Sequence, residues 1–393
     1  MSIAAHAETL SLNLGPQHPS THGVLRVVLE LDGETVVDAR PDIGFLHRGI
    51  EKLAEHRTYH QIMVLTDRLD YLAACSNNLA YALAVEKLLG IEAPRRAAYV
   101  RVALAELQRI ASHLFWLGTH AHDLGAMTPL FYALQERETI MDIFEALAGS
   151  RLTPSFLRIG GLAADIDSGF VEKVRSFTKI FPERIAEYET LLTDNPIWKS
   201  RTRGVGVLDV NECIRLGISG PMLRSTGMAL DLRKAAPYSC YGEFSFQIPT
   251  GTAGDVYDRY RVRIREMRES AKVAAQAVEG LPEGRWISPD SPATLPPKDE
   301  LGTNIAALIG HFGLITKGVT PPVGEVYHAI ESPRGELGFY IVSDGGPRPV
   351  RLKVRPPSFV NLQGLLKMVR GRLLADVVAV IGGVDIVLAE VDR

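Results

Sequence analysis

Residues 94–118, PRRAAYVRVALAELQRIASHLFWLG, carry the pattern that decides the fold class. Val100, Leu104, Leu107, Ile110, Ala111, Leu114 and Leu117 recur at mostly three- and four-residue spacing, which places them on one face of a long helix. Pro94 suits the opening of that helix, and Gly118 lies near its end. Toward the N-terminus, residues 61–90 repeat the spacing through Leu69, Leu72, Leu79, Leu83 and Val85, with Gly90 as a natural stop. Toward the C-terminus, Thr128-Pro129 reads as an N-cap followed by proline at the first helical position, and that helix runs to about Gly149. A fourth helix is expected over 169–193 through Val171, Val174, Phe177, Ile185 and Leu191. A fifth, over about 254–279, is dense in charge with Arg259, Arg261, Arg263, Arg265, Glu266 and Arg268, a run expected to face solvent or another subunit.

Farther out the period changes. Residues 10–60 read as a small β-containing region: Val24–Leu31 is strand-like and Asp32-Gly33 is a hairpin signal. Residues 281–298, rich in proline, serine and charge, read as a linker or surface loop. Val326–Ile330, Leu337–Val342 and Val350–Val354 read as a β-meander within a C-terminal region, 299–393. The expectation is a mostly α protein, one domain over 1–393, with a helical core at 61–280 and small β elements near both ends.

Hydrophobic residues make up 46% of the 393 and charged residues 23%, ordinary for a globular chain long enough to bury a large core. A net charge of −3 gives no bulk electrostatic case for nucleic acid. Cys75, Cys213 and Cys240 lie far apart with no CxxC, which argues against a disulfide framework and against a self-contained zinc or iron–sulfur site. The first residues lack the basic start and apolar run of a secretory leader. Leu373–Leu388, the best candidate membrane span, is interrupted by Asp376 and Asp385.

Between the apolar runs Leu10–Leu14 and Val24–Leu31 lies Gly15-Pro16-Gln17-His18-Pro19-Ser20-Thr21-His22-Gly23. Its prolines and glycines fix a path for the backbone, so the histidines sit in a shaped loop. Locally, a turn with two exposed histidines is the plainer reading; a proton donor held against a ligand is the chemical one. His120-Ala121-His122-Asp123 matches part of a metallo-hydrolase signature, but Leu124 and Gly125 stand where its next Asp-His pair belongs, and two histidines do not close a site. The plainer reading is a helix end with histidines near the negative pole of the dipole. Tyr71, in Arg68-Leu69-Asp70-Tyr71 at the start of a helix, is either core or a proton donor. No P-loop, dinucleotide fingerprint or nucleophile elbow is present.

Ten stretches, in order and spanning nearly the whole chain, resemble the D-type, 49-kDa-type subunit family of respiratory complex I. They are Gly15–Arg26, Glu55–Tyr59, Asp67–Tyr71, Leu79–Gly90, Arg158–Gly161, Arg203–Val207, Gly254–Ser270, Glu336–Gly346, Pro357–Gln363 and Asp392-Arg393. The resemblance implies a fold similar to the large subunit of [NiFe] hydrogenases. It therefore raises hydrogenase activity as an alternative, but the two cysteine pairs of that site fall at Asp70 and Ala73 and at about Val387 and Glu390, which supply no thiolates.

What the resemblance implies instead is quinone reduction in a pocket shared with an adjacent iron–sulfur subunit of the B type. This chain would bind no cofactor, quinone would be the substrate, and electrons would come from a 4Fe-4S cluster in that neighbour. His22 and Tyr71 stand at the family's positions for proton donors to the two quinone carbonyls. Asp123 stands at that of the carboxylate that pairs with the histidine and favours its protonated form. His18 and Thr119 are carried over as pocket-wall residues, and Arg48 and Arg68 as arginines near the partner's cluster. Further implied partners are a C-type chain and a membrane-arm subunit. The implied location is peripheral, on the cytoplasmic face of the bacterial inner membrane, in a proton-pumping NADH:quinone oxidoreductase or a ferredoxin-linked relative. One departure stands out: many family members carry, near the cluster, a histidine where this chain has Thr153. A non-titrating residue there implies a cluster potential with little pH dependence.

Overall fold

The computed structural model describes residues 9–289 and 291–393; the expectation about a secretory leader falls largely on residues 1–8, outside that range. The predicted helix is the axis of the molecule. It spans Arg95–Asp123, buried over most of its length, and packs against helices Thr128–Ala148, Val256–Glu279 and Leu374–Val384. It continues past Gly118 because that glycine lets the neighbouring helix come close: a Cβ there would lie 2.9 Å from Leu130 Cδ1 and 3.1 Å from Leu130 Cα. Met127, not Thr128, is the N-cap of that neighbour, with Thr128 and Pro129 in its first turn and Gly149 closing it in the left-handed region. Helix Ser168–Leu192 lies on both Thr128–Ala148 and Val256–Glu279. Asp167 and Asp255 cap the starts of Ser168–Leu192 and Val256–Glu279 by accepting from backbone amides. The architecture is mostly α, as expected.

Two expectations need correction. Residues 61–90 do not form one helix: Tyr59–Thr66 ends, a turn follows, and Ala74–Leu89 begins anew. Asp70 holds the break open, its carboxylate accepting from Leu72 N at 3.0 Å and its carbonyl from Asn77 Nδ2 at 2.9 Å. The charge run on Val256–Glu279 is divided: Arg265 is exposed and Arg261 and Arg268 are half-buried, whereas Arg259, Arg263 and Glu266 face inward, against expectation. Arg259, Arg263 and Glu266 are at most 1% exposed. Their charges are met locally: Arg259 Nη2 donates to Gly206 O at 2.6 Å and Gly254 O at 2.9 Å, and Arg263 donates to Gly383 O at 3.1 Å and Val384 O at 3.2 Å. Those carbonyls satisfy part of each guanidinium, while Arg259 Nε and Nη1 and Arg263 Nε are buried without a protein partner.

The β elements fall near the predicted places. Leu10–Leu14, Arg26–Asp32 and Thr35–Asp42 form an antiparallel sheet in chain order, with an irregularity at Glu30/Leu31. Gly324–Ser332, Gly335–Ser343 and Arg351–Arg355 form the meander. Residues 281–298 are more than a surface loop: Ile287 bridges to Gly161, and Ala293 is buried with its carbonyl 3.0 Å from His60 Nε2. Leu373–Leu388 holds a buried helix, Leu374–Val384, and among the described residues no helix is long and apolar enough to cross a membrane. The following residues run back along the N-terminal region. There Asp392 accepts from Gly44 N at 2.8 Å and Leu46 N at 2.7 Å.

Candidate functional site

The loop at 15–23 is built to present His22. His18 caps a single turn, Pro19–Thr21, its Nδ1 accepting from Ser20 N at 3.2 Å. Thr21 Oγ1 donates back to His18 O at 2.8 Å. Gly15 admits the close return of the chain, since a Cβ there would lie 2.1 Å from Leu25 O. His22 then takes a left-handed conformation, φ 53°, and aims an Nε2 that is buried and without a protein partner. Helix Leu374–Val384 packs on this turn. Burial lowers the proton affinity of the His22 imidazole; Asp385 opposes that shift and Arg334 adds to it.

The second component is the turn ahead of Ala74–Leu89. It places Asp70 inside and leaves Tyr71 39% exposed, so the phenol is reachable from outside. Burial raises the Tyr71 pKa, with the Asp70 carboxylate beside it acting in the same direction. The charges of Arg334 and Asp385 act on Tyr71 as well as on His22, so the two expected donors share one electrostatic environment.

Arg334, from the turn between the first two meander strands, is the hub of that environment. Its guanidinium donates to Asp70 Oδ2 at 2.5 Å, Ser112 Oγ at 3.0 Å, Asp385 O at 3.0 Å and Asp385 Oδ1 at 3.1 Å. Glu390, wholly buried, accepts from Ser358 N at 3.1 Å and is pushed up to about 8, first by burial and then by Asp70. Burial likewise raises the Asp70 carboxyl. In the sequence, Asp385 and Glu390 stand out only by lying near the place where cysteines are missing, and Arg334 not at all. Spacing relative to those absent cysteines is the one available signal; the convergence of turn, meander and C-terminal segment is not visible in it.

Among the described residues Asp123 and His22 are not hydrogen-bonded to each other. Burial raises the Asp123 carboxyl, and the cations acting on it are His122 and His18. Nor does the structure favour a protonated His22, because burial outweighs the nearby carboxylate. Thr119 turns back on its own helix, its Oγ1 donating to the Phe115 and Trp116 carbonyls at 3.1 Å each. His120 stacks on Trp116 inside the core while His122 is exposed, so the two histidines do not face a common point. Among the described residues no three His, Cys, Asp or Glu side chains converge as metal ligands, and all three thiols are buried and free.

Arg48 and Arg68 are both exposed and adjacent: Arg48 Nη2 donates to Arg68 O at 2.6 Å and to Ala389 O at 3.2 Å. Burial and the neighbouring Arg68 charge lower the Arg48 pKa. Among the described residues neither arginine forms an ion pair within 4.0 Å, leaving a local positive patch at the rim of the acidic cluster. Geometrically, then, a reachable phenol and an imidazole stand over a buried acid–arginine cluster. Such a set combines an accessible phenol with a buried imidazole that burial biases toward its neutral form.

Residues 123–393 match the family described as respiratory-chain NADH dehydrogenase, 49 Kd subunit. The NADH-quinone oxidoreductase D 2 subunit of Chloroflexus aurantiacus is 57% identical over 395 residues, covering 100% of this chain and 96% of that protein. The D-type subunit of Trichlorobacter lovleyi is 54% identical over 389 residues, covering 99% of this chain and 100% of the relative. Its counterpart in Geobacter sulfurreducens is 53% identical with the same coverage. These full-length matches include the 15–23 loop and Tyr71, which lie ahead of the stretch matched by the family description.

Proposed function

The chain belongs to the D-type, 49-kDa subunit family of NADH-quinone oxidoreductase, and from that premise we propose that it forms the quinone-reducing pocket of respiratory complex I with Tyr71 and His22 as the proton donors. The observation that carries this reading is a chain of contacts between segments far apart in sequence: the turn before His22 packs on helix Leu374–Val384, Asp385 at the end of that helix accepts from Arg334, and Arg334 also donates to Asp70, the neighbour of Tyr71. Reducing a quinone takes two electrons and two protons. A phenol keeps its proton at neutral pH yet yields it to a strongly basic reduced quinone oxygen, and an imidazole reloads readily.

This chain supplies position and protons. The electrons would enter from a 4Fe-4S cluster in an adjacent B-type subunit; the Arg48–Arg68 patch, without carboxylate partners, suits the face toward such a negatively charged group. The hydrogenase-like ancestry fits the same place. The residues at the absent cysteine positions, Asp70 and Glu390, are hard oxygen groups packed around Arg334, a poor match for soft-metal ligation. A partner-covered surface is supported by helix Ile305–Lys317, where Ile305, Ile309, Phe312 and Ile315 are each at least 60% exposed. We place the subunit peripherally, on the cytoplasmic face of the membrane, in contact with C-type and membrane-arm chains of a proton-pumping complex.

Tyr71→Phe tests the reading, since it keeps the ring and removes one proton. Quinone reduction by the assembled complex is expected to fall about 10²–10⁴-fold, with NADH:ferricyanide activity intact. An equal fall in both activities would make Tyr71 structural. Asp123→Asn, acting on the loop through His18, is expected to cost less than Tyr71→Phe.

A further inference from the structure

We propose that Gln108, on the central helix, is a positioning residue for Tyr71. The inference rests on the quinone reading above and adds the group that aims the phenol.

Tyr71 sits in the turn between helices Tyr59–Thr66 and Ala74–Leu89, on neither of them, and is 39% exposed. Among the described residues no hydrogen bond holds its hydroxyl, so the aim of the ring is set by the backbone on either side. On the N-terminal side Asp70 is fixed at every polar atom of its side chain and carbonyl. Its Oδ1 accepts from Leu72 N at 3.0 Å and its Oδ2 from Arg334 Nη1 at 2.5 Å. Its carbonyl accepts from Ala73 N at 3.0 Å and Asn77 Nδ2 at 2.9 Å. On the C-terminal side the polar hold is a single bond. No backbone amide among the described residues reaches the Leu72 carbonyl, and Gln108 Nε2 donates to it at 2.9 Å.

Gln108 is committed to that contact. It is 1% exposed on helix Arg95–Asp123, where a side-chain amide is costly unless its groups are matched. A carbonyl can only accept, so Leu72 fixes the amide with its nitrogen toward the turn. The opposite atom, Oε1, has no protein partner. Leu72 also belongs to a small apolar cluster with Val387 and Ala389, against which Phe115 of the same central helix packs. Backbone and side chain of the residue after Tyr71 are thus both referred to the most rigidly packed helix of the fold. With the Gln108 bond gone, the turn keeps its Asp70 anchor but loses the opposite one, and the phenol can swing. A displacement of about 1 Å at a reacting group can cost about 10²-fold in rate. Arg334 is less suited to a test, because its removal leaves Asp70 and Asp385 buried without their shared cation.

The test uses the assembled complex with a short-chain quinone. Gln108→Met keeps the length of the side chain while removing both the donor and the unmatched Oε1. Its kcat for quinone reduction is expected to fall about 10–100-fold, with KM for the quinone changing far less and NADH:ferricyanide activity at the parent level. The decisive measurement is the double variant. Added to Tyr71→Phe, Gln108→Met is expected to cost nothing further, because aiming a ring that carries no proton has no value. Equal losses in the two backgrounds overturn the proposal, as does an unchanged kcat in Gln108→Met or a parallel fall in ferricyanide activity. If Gln108→Met does not assemble, Gln108→Asn, which draws the amide back by one methylene group, is measured against the same outcomes. Tyr71→Phe alone separates the two levels: full quinone reduction there defeats the quinone reading itself, whereas a defect there beside a parent-like Gln108→Met defeats only the positioning role.

Discussion

Two buried charge clusters lie within this molecule, and they treat their acids in opposite ways. In the first, Arg224 donates to Glu266 at 2.8 Å and Glu331 at 2.6 Å, and Arg233 holds Asp231 at 2.6 Å and Glu106 at 3.0 Å. His113 Nε2 lies 3.0 Å from Glu266, and Arg109 lies beside Glu106 at 3.4 Å. Burial pushes these carboxyls up, yet the arginines prevail: Glu266 is held down at about 2, and Glu106 and Asp231 are also lowered. Glu331 alone goes the other way, burial and the adjacent Asp231 raising it. In the second cluster, Arg334 serves Asp70 and Asp385 with Glu390 alongside, and burial raises both Asp70 and Glu390. The supply of guanidinium per carboxylate decides whether a buried acid is held as a fixed charge or raised toward its neutral form. The first cluster, rich in arginine, ties helices and meander together. The second lies under Tyr71 and His22.

Removing the hub of the first cluster gives the largest effect. Arg224→Met leaves Glu266 and Glu331 without their cation, and is expected to destabilise the fold by about 3–5 kcal/mol. Denaturant unfolding of the purified chain measures it, and a change below about 1 kcal/mol would make the network dispensable. Acid and alkali then separate the clusters. Glu266 is lowered on folding, so its contribution is present above its ordinary value of 4.5 and is lost as pH falls toward about 2. Glu390 is raised, so its contribution is present below 4.5 and is lost as pH climbs through about 8. Glu266→Gln should flatten the acid limb of a stability–pH curve and Glu390→Gln the alkaline limb. Identical curves for the two variants would erase the contrast. The smallest effect concerns Thr153, half-buried and unable to titrate. The histidine whose environment includes Arg158 is His60, and burial lowers its proton affinity. The midpoint potential of the cluster proposed for the adjacent subunit is therefore expected to vary little around neutrality, and Thr153→His to steepen the slope toward about 59 mV per pH unit. EPR-monitored redox titration at several pH values reads both, and a full slope in the parent refutes the expectation.

Period and punctuation made the long helices and the meander legible, because apolar faces at 3.6 or 2 residues follow from burial alone. The break at 67–73 was hidden: Leu69 and Leu72 continue the helical stripe, and only the carboxylate of Asp70 shows why the chain turns. The inward charges of Arg259, Arg263 and Glu266 on Val256–Glu279 are not legible in sequence, because residue type alone does not separate them from the outward Arg265. Their acceptors, the carbonyls of Gly206, Gly254 and Gly383, are set by tertiary structure. Of the proposed site, His22 and Tyr71 are legible only by resemblance in short motifs. Arg334 carried no local motif, and its partners Asp70 and Asp385 lie 264 and 51 positions away.

The contact of Asp392 with Gly44 spans 348 positions. During synthesis the early sheet and the 15–23 loop emerge first and wait, while Asp385, Glu390 and Asp392 leave the ribosome near the end. At about 5–20 residues per second that delay is many seconds. Throughout it, Asp70 beside Tyr71 lacks its Arg334 partner, and His22 lacks Asp385. A stalled or clipped nascent chain therefore has helices but not the assembled acid–arginine cluster, which is completed last.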